Sequence, residues 1–377
     1  MTIDSLTSLT GAKRLVIKIG SALLVDEEQG LHRQWLRALV DDIARLRDRG
    51  QEVVVVSSGA VALGADALPN ANAKKRLPDS QAAAAIGQVR LAHAWQEILA
   101  DHGITLAQIL LTIDDTENRR RYLNARDTME TLLSMGAIPV INENDTVATQ
   151  EIRYGDNDRL AARVAQMISA DCLVILSDVD GLYAENPDVT PDARFVDVVD
   201  DITPDIEAMA GEPKRMGVGS GGMITKIIAA RIATASGCQV LLINGTNEHP
   251  IRQFEQSRRG TWFKAKDAAA SQHKQWLAGT LIAAGQLVVD DGALSALRNG
   301  NSLLPAGVTD IAGDFQRGDT IAVLDGDGVE LARGLAAYSS EDARKIMGHN
   351  SRDIEDILGY RGRGELIHRD NLVLHQK

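Results

Sequence analysis

The sequence predicts an α/β protein, a mostly parallel open sheet sandwiched by helices, followed by a small mainly β domain. Three observations carry this. Short apolar runs, many of them β-branched, alternate with longer helical patterns from Leu15 to about Thr261. Glycine or polar residues close four of those runs. Beyond Thr261 the helical pattern gives way to a polar connector and then to short β-like runs separated by Gly and Asp turns.

The apolar runs, in order, are "RLVIKIG", "EVVVVSSG", "ITLAQILL", "AIPVINEND", "CLVILSDVDG" and "QVLLING". Stretches such as "RQWLRALVDDIARLRDRG" and "DRLAARVAQMISA" lie between them and repeat apolar residues at helical spacing. Strand alternating with helix implies parallel strands covered on both faces. The first domain is read as residues 1–264, the connector as 265–276 and the second domain as 277–377. In the latter, "GQLVVDDGA", "DTIAVLDGDG" and "VELARGLAAY" read as strands and "SSEDARKIMG" as a helix.

Ligands of open α/β sheets gather beyond the carboxyl ends of the strands. The first run carries Lys18 and ends in Gly20-Ser21, and the second ends in Ser57-Ser58-Gly59. The fourth ends in Asn142-Glu143-Asn144-Asp145, and the fifth in Ser177-Asp178. Any one of these is an ordinary turn, but four converging on one edge point to a site. Further along, "GVGSGGMITK" matches the letters of a dinucleotide fingerprint from Gly217 to Gly222, yet "EAMAGEPKR" before it is no strand. A Walker loop fails as well, because Met223 follows Gly222. The glycines therefore precede a helix whose free N–H groups favour an anion, with Lys226 about one turn in.

If that anion is a nucleotide polyphosphate, Lys18 and Lys226 flank a phosphoryl group, and phosphoryl transfer depends on positioning and charge neutralisation. In "YGDNDRLAARVA", Asp156, Asn157 and Asp158 precede an apolar-periodic segment, where one such residue suffices for an N-cap. Asp158 suits orienting the two lysines and Asn157 suits substrate binding. A magnesium-holding role for the same carboxylates is not separable from these by spacing.

Composition narrows the classes. Of 377 residues, 44% are hydrophobic and 24% charged, as in ordinary globular chains. The net charge of −12 and an aromatic content of 3% argue against a broad nucleic-acid surface. No secretory h-region and no run of 18 apolar residues occurs, so a cytoplasmic protein is expected. Cys172 and Cys238, outside any CxxC, read as buried reduced thiols. The eight histidines show no HxH or HExxH spacing, so no protein-held metal site is expected from them.

"VIKIGS", "VVSSGAVALG", "PVINENDTVA", "YGDNDRLAARVA", "LSDVDGLY" and "GVGSGGMITK" occur in the order and spacing of the amino acid kinase family, in the form that phosphorylates glutamate. The C-terminal part, closing with "ILGYRGRGELIHRDNLVL", resembles a PUA domain. The resemblance spans nearly the whole chain. It implies ATP-dependent phosphorylation of the γ-carboxylate of L-glutamate to glutamyl 5-phosphate, the entry step of proline biosynthesis. It also implies Lys18, Lys226 and Asp158 as catalytic residues and Ser58, Asp145 and Asn157 as the glutamate site. Lys18, Ser177, Asp178, Ser220, Gly221, Gly222, Met223, Ile224, Thr225 and Lys226 are implied to bind ATP, with Mg²⁺ bridging its phosphates. Feedback inhibition by proline near "TVATQEIRYG", a homo-oligomer and hand-over to the next pathway enzyme follow from the same resemblance. Ser177 and Ser220 stand where the family often has Thr; serine keeps the hydroxyl and drops the methyl.

Two other readings compete. A kinase of this fold acting on aspartate, acetylglutamate or a nucleotide would share the lysines and glycines. An RNA-binding protein acting through the C-terminal domain is disfavoured by charge, since residues 277–377 hold ten Lys and Arg against fifteen Asp and Glu.

Overall fold

Each of the six apolar runs forms a strand, and their neighbours are those a parallel sheet requires. The computed structural model describes residues 9–26, 30–67, 76–148, 156–187, 189–211, 222–265 and 283–374, with Asp156 and Asp370 described by their backbone. Two compact units emerge, residues 1–269 and 270–377.

In the first unit the strands are β1 (Arg14–Ile19), β2 (Glu52–Val56), β3 (Leu106–Leu111), β4 (Ile138–Glu143), β5 (Cys172–Ser177), β6 (Val198–Val199), β7 (Gln239–Asn244) and β8 (Thr261–Phe263). They form one sheet in the order β6-β8-β7-β5-β1-β2-β4-β3. All pairings are parallel except β7 with β8. The chain builds outward from β1 through β2 to the β3–β4 edge, then crosses back to place β5 on the other side of β1. That reversal opens a crevice at the carboxyl ends of β1, β2, β4 and β5.

Side chains alternate across the sheet. Ile17, Ile19, Val53 and Val55 join one core with Leu36, Leu39 and Ile43 of α1 (Arg33–Asp48). Leu91, Trp95 and Ile98 of α3 (Leu77–Ala100) complete it. Each such side chain, fully buried, contributes about 1.5–3 kcal/mol. Lys18, one residue out of phase with Ile17 and Ile19, points to the opposite face, where α5 (Asp156–Met167) packs on the sheet and against α6 (Met223–Ala235). Cys172 and Cys238 are buried and free, and burial pushes both thiols up, so neither is a reactive thiolate. Among the described residues no helix is long and apolar enough to cross a membrane.

Three glycines bring the backbone into working order. Gly59 has φ 97°, a left-handed turn that carries the chain from Ser58 directly into α2 (Ala60–Ala65). Gly64 of α2 and Gly87 of α3 let these helices touch backbone to backbone. A Cβ on Gly87 would lie 1.8 Å from Ala60 O, and one on Gly64 would lie 1.9 Å from Ala83 O. Neither obstacle is a flexible side chain, so the helices would have to separate.

The second unit holds β9 (Gly285–Val289), β10 (Val308–Gly313), β11 (Thr320–Leu324), β12 (Glu330–Leu335) and β13 (Leu372–Leu374), in the order β10-β9-β11-β12-β13. Leu287, Val289, Val323 and Ala332 form its core with Leu297 of α8 (Asp291–Arg298) and Ile346 of α9 (Ser340–Ile346). The strand β10 carries no strong alternation in sequence, because it is exposed at four of its six positions, and "GQLVVDDGA", read as a strand, is divided between β9 and the start of α8. Replacing Gly87→Ala is expected to lower stability by about 1–3 kcal/mol or more through overpacking. A thermal melt by circular dichroism checks this, and an unchanged midpoint would show that α2 and α3 separate freely.

Candidate active site

The site is built on β1 and the first turn of α5. Lys18 arrives on β1 between Val56 of β2 and Ile175 of β5, one residue before the strand ends. Its Nζ lies 2.5 Å from Asp158 Oδ1. Lys226, in the second turn of α6, places Nζ 3.8 Å from Asp158 Oδ2. Thr225 Oγ1 lies 2.6 Å from the same Oδ2 and 2.9 Å from Gly222 O. Asp158 is wholly buried, and Lys18 and Lys226 are 6% and 7% exposed.

The sequence reads Asp156, Asn157 and Asp158 as preceding a helix, whereas α5 already starts at Asp156 and includes all three. Acidic residues are favoured in a first turn by the positive end of the helix dipole. Consecutive helical residues diverge by about 100°, so Asn157 and Asp158 face different groups. That divergence divides the site in two.

On the Asp158 side, burial alone would push the carboxyl up. The ammonium groups of Lys18 and Lys226 and hydrogen bonds from Lys18 and Thr225 outweigh it and hold the carboxyl below its ordinary value. Lys226 is shifted the other way for its type. Burial lowers it most and Lys18 adds to that, with Asp158 and Asp178 opposing, so its ammonium is held below the ordinary lysine value of 10.5. At Asp158 two buried ammonium groups face one buried carboxylate, with the Asp178 carboxylate also acting on Lys226.

On the Asn157 side, Asn157 Nδ2 lies 2.8 Å from Ser58 Oγ, 3.2 Å from Ser57 O and 3.1 Å from Asn142 Oδ1. Asn157 Oδ1 is buried with no hydrogen-bond partner among the described residues. Asp145, two residues beyond β4, is buried at 9% exposure on the loop that follows Asn142 and Glu143. The sequence marks Asn142 only as a polar strand end and gives Ser57 no separate part. Their role is to hold Asn157, and it becomes visible only once β2, β4 and α5 meet.

Of the residues implied for ATP, Ser177 ends β5 and donates to Asp178 Oδ1 at 3.0 Å. Asp178 itself is exposed. Gly222 caps α6 from an extended backbone, and Met223, Ile224 and Thr225 form its first turn, half-buried. Thr225, named from sequence only for ATP, also ties α6 to Asp158. Ser220, Gly221 and the glycines before them lie outside the described residues, as do positions 149–155 of the "TVATQEIRYG" loop and most of the 265–276 connector. Among the described residues no group of three His, Cys, Asp or Glu side chains could hold a metal.

Two outcomes follow from the charge arrangement. Asp158→Ala leaves two buried ammonium groups unneutralised and is expected to cost about 3–5 kcal/mol, read as a lower urea midpoint. An unchanged midpoint would mean the lysines find water instead. Because the Lys226 pKa is lowered, its charge is lost as pH rises through a value below 10.5. kcat/KM for a phosphate-bearing substrate should therefore fall on the alkaline side before that value, and the limb should move upward in Lys226→Arg. A limb that stays in place in the arginine variant would belong to another group.

Comparison with known proteins is consistent across the chain. The model of the amino acid kinase family matches residues 13–244, and that of the PUA domain matches residues 285–358. Glutamate 5-kinase from Paramagnetospirillum magneticum is 58% identical over 370 residues, covering 98% of this chain and all of that one. Glutamate 5-kinase from Rhodospirillum rubrum is 56% identical over 95% of this chain and 96% of its own. Glutamate 5-kinase 1 from Rhizobium meliloti is 54% identical over 97% and 93%. The chain belongs to the amino acid kinase family, among the glutamate 5-kinases that carry a C-terminal PUA domain.

Proposed function

We propose that this protein transfers the γ-phosphoryl group of ATP to the γ-carboxylate of L-glutamate, giving glutamyl 5-phosphate and ADP. The observation that carries the reading is the divergence of two adjacent residues in one helical turn. Asn157 turns to Ser58 and Asn142, while Asp158 turns to Lys18 and Lys226. An acceptor held on the first side meets a phosphoryl group held on the second.

The chemistry fits a carboxylate nucleophile. A glutamate side chain with a pKa of about 4.3 is ionised at neutral pH, so its oxygen attacks phosphorus without a general base. The bond from the γ-phosphorus to the β–γ bridging oxygen breaks, and ADP leaves with that electron pair. Two anions must approach, so Lys18 and Lys226 neutralise the equatorial and bridging oxygens while Asp158 fixes both ammonium groups in place. Ser58 and Asp145 suit the acceptor's α-carboxylate and α-ammonium, and Asn157 Oδ1 adds an acceptor for the latter.

Ser177, Asp178 and the residues from Ser220 to Lys226 are assigned to ATP. Mg²⁺ enters such sites on substrate phosphates with one or two protein carboxylates. Exposed Asp178 near Lys226 suits that mode. The ion would supply further neutralisation of the phosphate oxygens. Proline, a cyclic relative of the acceptor, would compete at the same pocket. A cytoplasmic setting accords with substrates of this kind, and residues 1–264 and 277–377 serve as the kinase and PUA-like domains.

Incubation with MgATP and L-glutamate in hydroxylamine, which traps acyl phosphates, should yield glutamyl hydroxamate. Lys226→Ala should lower the rate on the order of 10²–10³-fold, the scale for loss of one electrostatic stabiliser. No hydroxamate from a folded, ATP-binding protein would redirect the assignment to aspartate, acetylglutamate or a nucleotide as acceptor.

A further inference from the structure

A chain of side-chain amides links the acceptor pocket to a helix that the mechanism above does not use. Asn142, 3% exposed, receives the backbone N–H of Glu143 on Oδ1 at 2.9 Å and Asn157 Nδ2 on the same oxygen at 3.1 Å. A backbone N–H can only donate, so the oxygen end of the Asn142 amide is fixed on that side. Its Nδ2 faces the other way and donates to Gln88 Oε1 at 2.7 Å.

The same logic fixes Asn157. Ser57 O, 3.2 Å from Asn157 Nδ2, can only accept, so the NH₂ end of Asn157 is turned to β2 and β4. Its Oδ1 is left as a buried acceptor without a partner among the described residues. Such an atom costs free energy unless a ligand donates to it. A flipped Asn142 would set NH₂ against both the Glu143 N–H and the Asn157 NH₂. Gln88 is the far end of this series and favours the observed sense.

Gln88 stands on α3 beside the close contact of that helix with α2. Gly87, the residue before it, lies against Ala60 O at a distance that no side chain would allow. The close helix pair thus delivers one amide to the rear of the acceptor pocket.

We propose that Gln88 is a positioning residue for the acceptor amino acid: it accepts from Asn142, keeps Asn142 Oδ1 on Asn157, and so keeps Asn157 Oδ1 presented to the substrate ammonium. The inference rests on the reading of Asn157 as a glutamate ligand.

Steady-state kinetics on the full-length protein tests it. Gln88→Met, close in shape but without the acceptor, should raise KM for glutamate about ten-fold, the scale of one lost hydrogen bond to a buried group, with KM for ATP and kcat little changed. Gln88→Glu, which keeps an acceptor oxygen at the same reach, should restore most of the affinity. In an Asn157→Ala background, Gln88→Met should add nothing further. Thermal melts on each variant confirm folding. The proposal is overturned if Gln88→Met and Gln88→Glu behave alike, if KM for ATP rises in step with that for glutamate, or if the Gln88→Met effect persists in full without Asn157. Should Asn157→Ala itself leave KM for glutamate unchanged, the assignment of Asn157 fails and carries this inference with it. Should Asn157→Ala raise KM while Gln88→Met does not, only the relay through Asn142 fails.

Discussion

The buried carboxylate of Asp158 lies between two ammonium groups that come from β1 and α6, and the site is organised around it. At an effective dielectric of about 20, unit charges 4 Å apart attract by on the order of 4 kcal/mol, against several kcal/mol of desolvation for each buried ion. The cluster is therefore no strong source of stability. What it supplies is position: Lys18 and Lys226 lie within 4 Å of one carboxylate with little exposure. Thr225 ties the first turn of α6 to that same carboxylate, so the helix following the glycines is registered against α5 by a hydrogen bond as well as by charge.

The sheet makes this arrangement possible. Period-two alternation along β1 buries Ile17 and Ile19 in the core with α1 and α3, and it sends Lys18 to the α5 face. The reversal of strand order around β1 then gathers the ends of β2, β4 and β5 beside it. Because α5 starts at Asp156, its first turn can offer one residue to each half of the site. Positions 157 and 158 are separated by a single peptide bond, yet they serve an amide network and a charge network that share no hydrogen bond.

The C-terminal unit shows the other limit of a charge argument. Its excess of acidic residues disfavours a phosphate-tracking surface. Within "GYRGRGE", Arg363 lies 3.5 Å from Glu365 and its carbonyl accepts from Tyr338, so part of the local basic character is neutralised inside the unit. The domain has its own core around Leu287, Val323 and Ile346, between its sheet and its helices.

The sequence by itself determined the parallel sheet, the two-domain composition, and the groups with chemistry at strand ends, because alternation of period 2 and period 3.6 and the placement of Lys, Asp and Gly are local properties. It also carried the family, through motifs whose order and spacing coincide. It did not distinguish a capping role from a catalytic one for Asp158, since both place an aspartate at a helix start. Only the tertiary structure decided where that carboxylate sits, buried completely between Lys18, Lys226 and Thr225. The sense of the Asn157 amide, the part of Asn142 and the approach of Gln88 were likewise invisible in sequence. Each depends on partners 15 to 100 positions away, and hydrogen-bond direction is set by which groups meet in space, not by which stand next to one another along the chain.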